Sequence, residues 1–245
     1  MGTCNYGDIT LNYLDIGNQI ILNFFMPRIS RIVAVDYPHH ITQRGVRSLD
    51  IFSNDYDRNQ YLQFIKEEAQ RYEMEILAWC LMTNHVHFIA LPHNELSLAK
   101  GFGEAHKRYT RMKNFKDNVR GYLFQGRFGS CVLDERHLLA AVRYVENNPV
   151  AAGIVKHAWD YLWSSAAYHV GNIDDDILVK ERDLYGLVKD WRTYLENKEE
   201  DTFHAVRKAT RTGRPAGDYD FIIKMENLTG RLLRRGKPGP KKRGN

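Results

Sequence analysis

Residues 75–92 restrict the fold of this chain more than any other stretch. Two apolar runs, EILAWCLMTN and HVHFIALP, abut there with only Thr83-Asn84 as a polar break. Runs of strand length split by a short polar turn read as the two arms of a largely buried β-hairpin. Side chains alternate faces along a strand, so His85 and His87 project from the same side of the second arm.

The flanking sequence completes a pattern. PHHITQRG (38–45) reads as a short strand, with β-branched Ile41 and Thr42 and a closing Gly45. Residues 54–74 read as a helix that Asn54 or Asp55 caps, with Tyr61, Leu62, Ile65 and Ala69 at helical spacing. LSLAKGFGEAHKRYTRMKNF (96–115) reads as a basic helix. YLFQGRFGSCVL (122–133) is strand-like, its glycines indicating bulges or a turn. HLLAAVRYVENN (137–148) keeps an apolar stripe of Leu138, Leu139, Val142 and Val145 and ends at Asn147-Asn148-Pro149. Strand, helix, strand, strand, helix, strand, helix is the order of a ferredoxin-like split βαβ unit. The expected class is α+β, an antiparallel sheet with helices on one face.

From about residue 157 the pattern loosens. ILVKERDLYGLVKDWRTYLEN (177–197) has a helical period, TGRPAGD (212–218) is a turn, and DYDFIIKMENLTGRLL (218–233) reads as a helix stopped by Gly236. Residues 180–235 therefore read as a small helical extension. From Gly230 to the end, GRLLRRGKPGPKKRGN carries seven Lys or Arg and no acid, and residues 236–245 read as a disordered basic tail. Residues 1–25 look foreign to the rest of the chain, and Met26 opens a stretch that reads like a natural start. They are expected to be a loose leader or the product of a mis-assigned start.

Composition narrows the function. Against 30 acidic residues stand 35 Lys and Arg, a formal charge of +5, and the excess is unevenly placed. Three cysteines without metal spacing, Cys4, Cys80 and Cys131, argue for a reducing compartment and against a disulfide framework. No apolar run approaches the ~20 residues of a membrane span.

Two imidazoles on one strand face form half of a metal site, or a packed, metal-free hydrogen-bonded pair. Zn²⁺ would want further N or S ligands, which neither cysteine region offers at short spacing. An oxygen ligand would favour Mg²⁺ or Mn²⁺. The helix RYVENNPV offers one: Tyr144 and Asn148, four apart, share a helical face. Glu146 points elsewhere on that helix.

Here the residues resemble a known family. His-hydrophobe-His on a strand, followed by Tyr-x-x-x-Asn before Pro-Val, is similar to the HUH single-strand DNA endonucleases. Within them the chain resembles the single-tyrosine, insertion-sequence 200-like transposases, in the branch associated with REP sequences. PHHITQRG, LMTNHVHFIALP, LFQGRFGS and AVRYVENNPVAAGIV carry the likeness, over roughly 30–170. It implies a catalytic domain at 26–175 and a divalent metal, Mg²⁺ or Mn²⁺, on His85, His87 and Asn148. Tyr144 would be the nucleophile that forms a 5′-phosphotyrosine, with Tyr109 in reserve. Relatives often carry Gln at the position of Asn148.

Expected contacts to single-stranded or hairpin DNA come from Gln43, Arg44, Arg47, Gln125 and Arg127, and from His106, Lys107, Arg108, Arg111 and Lys113 on the basic helix. The tail would add Arg234, Arg235, Lys237, Lys241, Lys242 and Arg243. A cytoplasmic, nucleoid-associated monomer or homodimer is implied. Two other readings stay open: a non-catalytic nucleic-acid-binding regulator with the same fold, and a histidine-dependent phosphohydrolase.

Overall fold

A computed structural model describes residues 2–6, 9–16, 19–23, 31–182, 184–197 and 200–234. The chain divides into two units near residue 30. In the first, β1 (Gly2–Tyr6), β2 (Ile9–Ile16) and β3 (Gln19–Asn23) pair as an antiparallel meander, with Cys4 opposite Leu11 and Leu14 opposite Ile21.

The second unit begins at Arg31. Its elements are β4 (His39–Arg44), α1 (Asp55–Arg71), β5 (Met74–Leu81), β6 (His85–Pro92), α2 (Ser97–Lys116), β7 (Gly129–Val132) and α3 (Glu135–Glu146). They keep the order read from the sequence. Asn54 caps α1 by accepting from the Asp57 N–H at 3.0 Å, and Asp134 caps α3 by accepting from the His137 N–H at 2.8 Å. The sheet order is β5-β6-β4-β7, antiparallel throughout. Arg44 lies opposite His85 and Thr42 opposite His87, while His40 lies opposite Ile89. That register puts His40, His85 and His87 on the same face.

One face buries Ile41, Ile76, Trp79, Leu81, Val86 and Phe88 against Tyr61, Leu62 and Ile65 of α1 and Leu98 and Phe102 of α2. This is the helical layer expected of the split βαβ unit. The opposite face is covered as well. Leu77, Ala78, Cys80, Ile89 and Cys131 pack there against Leu138, Ala141, Val142 and Val145 of α3 and against Val206 and Ala209 of a later helix. Helices therefore lie on both faces, because the chain beyond β7 is long enough to return to the sheet.

The return is made by α4 (Asn148–Ala151), α5 (Ala166–His169), α6 (Trp191–Glu196), α7 (Glu200–Thr212) and α8 (Tyr219–Thr229). Residues 177–197, helical in period, form a helix only at α6. Leu178, Val179, Leu184 and Val188 are buried from turns and loop instead. The helix α7 falls where the sequence pattern predicts none. The last helix stops at Gly230, whose φ of 65° suits glycine, and so ends before Gly236. TGRPAGD is a turn whose Ala216 pairs beside β7, donating to the Val132 carbonyl at 2.8 Å. Residues 180–234 thus share a core with the sheet and are not a separate appendix.

Candidate functional site

The two strand histidines face α3. His85 is partly exposed at the start of β6 and His87 is buried, their ring centroids 5.1 Å apart at 87°. The Tyr144 ring lies 5.2 Å from that of His87, edge to face. Asn148, at the first position of α4, lies close enough to His85 and Tyr144 to influence the charge of both. Its Nδ2 donates to the Tyr144 carbonyl at 2.9 Å, which leaves Oδ1 as the outward end of the amide. The four residues singled out in the sequence thus converge. Glu146 turns away, accepting from the buried Ser165 and pairing with His169.

Hydrogen bonds fix which ring nitrogens carry protons. The His85 Nδ1 lies 2.6 Å from the Asn84 Oδ1, and the Asn84 amide nitrogen donates to the Ser48 carbonyl, so Nδ1 must be the donor. The Nε2 of His85 is then a lone pair. Burial holds His85 at about 4, helped by the nearby Arg44 cation and opposed by Asn148. His87 is pushed well below the usual imidazole value by burial first, then by His40, His85, Arg44 and Arg207. Both rings are neutral near pH 7, as metal ligands must be. Two neutral imidazoles and an amide oxygen suit a divalent cation that keeps water in open positions. Among the described residues no three His, Cys, Asp or Glu side chains cluster to hold a metal, so any ion here relies on the amide. Tyr144 is pushed above the ordinary phenol value by burial, an effect that Arg207, Asn148 and Arg44 oppose.

Sequence reasoning misses three neighbours. His40 stacks on His87 at 5.2 Å and 6°, and its centroid is 5.7 Å from Tyr144. Thr210 on α7 touches His40. Arg207, exposed on the same helix, adds charge. Face parity along PHHITQRG could have exposed His40; nothing local points to α7.

The expected DNA contacts divide. Arg44, Arg47, Gln125 and Arg127 are exposed, and the Gln125 N–H donates to the Arg44 carbonyl at 2.8 Å, which sets this loop beside the His85 end of the sheet. Gln43 is buried and donates to the Gly126 carbonyl, so it holds the loop and faces no solvent. The basic helix is also corrected. His106 is buried against Phe102, Phe124 and Phe128 and hydrogen-bonded to the Tyr61 hydroxyl. Lys113 is buried between Asp57 and Asp117, Arg108 pairs with Glu67 and Glu68, and Lys107 pairs with Glu104. Acidic side chains of α1 take up much of that face, leaving Arg111 exposed. Tyr109 is fully buried and donates to the Ile51 carbonyl at 2.6 Å, which removes it as a reserve nucleophile. Arg234 is exposed and paired with Glu226. Arg235, Lys237, Lys241, Lys242 and Arg243 lie outside the described residues.

Sheet order and helix placement define an α+β domain that carries a tyrosine beside a histidine pair. The family model described as Transposase IS200 like matches residues 35–148, a span that holds all four converging residues. Over that segment the chain is similar to the IS200-like transposases. A solved structure, titled "Structure of the REP associates tyrosine transposase bound to a REP hairpin", matches with a TM-score of 0.53 at 21% identity. The match covers 64% of this chain and 92% of that one. At that identity the likeness establishes the fold. No curated protein matches.

Proposed function

We propose that the chain is a metal-dependent transposase that cuts and rejoins single-stranded DNA, folded as a hairpin, through Tyr144. The observation that carries this reading is the position of Tyr144, its ring 5.2 Å from that of His87 and its carbonyl hydrogen-bonded by the Asn148 amide. His85 and His87, through Nε2, and Asn148, through Oδ1, would hold Mg²⁺ or Mn²⁺. When bound, such an ion neutralises charge on a non-bridging phosphate oxygen. The Tyr144 phenolate, its proton released to solvent water, attacks phosphorus, the Oη–P bond forms, and the P–O3′ bond breaks. The 3′-oxygen leaves and takes up a proton. The 5′-phosphotyrosine keeps a phosphodiester, so a second 3′-hydroxyl can reverse the step and join strands without ATP.

Arg207 and Arg44 flank the phenol and favour its ionised form. The exposed Arg44, Arg47, Gln125 and Arg127 lie where a phosphate backbone would approach, and the three arginines would supply salt-sensitive affinity. The hairpin assignment is supported by the structural relative, which is bound to a REP hairpin. The exposed loop at residues 125–127 offers that strand a cationic edge. A cytoplasmic, nucleoid-associated protein acting as monomer or homodimer fits this reading. No helix among the described residues is long and apolar enough to cross a membrane.

The test incubates the full chain and Tyr144→Phe with labelled single-stranded hairpin DNA and Mn²⁺ or Mg²⁺. A denaturant-stable adduct that needs both metal and Tyr144 is the expected result. Binding without an adduct would instead mark a regulator, and free cleavage products without a covalent intermediate would mark a phosphohydrolase.

A further inference from the structure

His87 lies at one end of a buried hydrogen-bond chain that runs into the C-terminal helix α7. The Thr210 hydroxyl donates to the Val206 carbonyl at 2.9 Å. Its proton is thereby committed, so at the 2.7 Å contact with the His40 Nδ1 the threonine oxygen accepts. The His40 Nδ1 then carries a proton and its Nε2 does not. At 3.0 Å, that Nε2 accepts from the His87 Nδ1. The His87 proton is thus on Nδ1, and its Nε2 presents a lone pair. Cys131, 3.1 Å from the same hydroxyl, fits the scheme by donating its S–H to the second lone pair of the threonine oxygen. His40 and Thr210 are both buried, so no bulk water competes for these bonds.

We infer that Thr210 and His40 are positioning residues that hold His87 in the Nδ1–H tautomer and so aim its Nε2 lone pair at the metal site. The inference rests on the metal reading of His85 and His87. It gives the C-terminal extension a part in the site itself, since the anchor of the chain comes from α7, 123 residues beyond the histidine it governs. Without the threonine oxygen, the shared proton can sit on the His40 Nε2. His87 would then carry its proton on Nε2, the nitrogen an ion needs. His85 is an internal control, because its own Nδ1 is tied separately to Asn84.

The test uses the full chain, metal-free and then titrated with Mn²⁺. Long-range ¹H–¹⁵N spectra of the imidazoles report each tautomer, and paramagnetic resonance of free Mn²⁺ reports affinity. Thr210→Val removes the hydroxyl at nearly constant volume, Thr210→Ala replaces it if the valine disturbs α7, and Thr210→Ser restores the oxygen. Expected are a pure Nδ1–H His87 in the wild type, a shift toward Nε2–H in Thr210→Val, and a Mn²⁺ affinity about tenfold weaker, the lower end of such effects on metal sites. Thr210→Ser should recover both, and His85 should not change. Thr210→Val and Thr210→Ala with an unchanged His87 tautomer and affinity within about twofold of wild type would overturn the inference. Wild-type protein that keeps Nδ1–H on His87 yet binds no Mn²⁺ would overturn the metal reading and leave the tautomer assignment standing.

Discussion

In the proposed reaction Tyr144 must lose a proton to attack phosphorus, and its surroundings pull in opposite directions. Burial raises its pKa, while Arg207, Asn148 and Arg44 lower it. Removing a cation therefore raises the pKa further and reduces the phenolate fraction at neutral pH, tenfold for each unit. Arg207→Gln is expected to move the alkaline limb of the nicking rate to higher pH and to slow nicking near pH 7. A rate–pH profile on a hairpin substrate checks this, and an unmoved limb would show that Arg207 does not act on the phenol. Legibility at this scale depends on distance along the chain. His85 and His87 are linked by strand parity, and Tyr144 and Asn148 by helical spacing, so local periodicity displays both pairs. The link between His40, Thr210 and His87 exists only once β4, β6 and α7 are packed, and no local pattern encodes it.

At the level of elements, the placement of Tyr144 depends on how α3 is held. Two residues on, Glu146 is fully buried, and its Oε1 accepts from the Ser165 hydroxyl and pairs with the His169 Nδ1 at 2.6 Å. His169 in turn stacks on Trp191 of α6, at 4.3 Å and 9°. Removing the carboxylate leaves a buried imidazole without its partner. Glu146→Ala is expected to cost about 3–5 kcal/mol, measured by urea denaturation, and a loss below about 1 kcal/mol would show that the pair contributes little. The hairpin and α1, α2 and α3 are readable in the sequence because apolar residues recur in them at one clear period. The extension is readable only in part: α8 is, and α7 is not. Among the described side chains of α7, Val206, Ala209 and Thr210 are buried between charged residues, so low apolar content hides a helix whose amphipathic period is strong. Residues 177–190 mislead in the other direction, since apolar side chains at helical spacing are buried there from turns. The basic face of α2 misleads because a helix's own sequence does not reveal the acidic residues that α1 sets against it.

Over the whole molecule, histidines are placed in the interior to an unusual degree. His39 and His106 are buried away from solvent, and burial holds them at about 4 and about 3. His40, at about 3, and His87, also lowered, share the pattern nearer the site. Above pH 6.5 each ring is neutral both folded and unfolded, and folding is not opposed. Below that value the unfolded chain binds protons that the folded protein refuses, until pH falls to about 4 for His39 and about 3 for His40 and His106. Stability is therefore fully present above pH 6.5 and declines through the window below it, by about 1.4 kcal/mol per pH unit for each such ring. Paired carboxylates such as Asp57, whose burial is outweighed by Lys116, Ser53 and Lys113, are lowered and add their loss at more acidic pH. Urea denaturation between pH 7 and 4.5, with a chelator present to exclude metal binding, is expected to show a steep fall in the unfolding free energy. His106→Gln, which keeps a polar partner near the Tyr61 hydroxyl, should make that fall shallower by one ring's share, whatever it does to stability at pH 7. A flat profile from pH 7 to 4.5 would mean that these rings take up protons in the folded state, contrary to their burial among aromatic and strand residues.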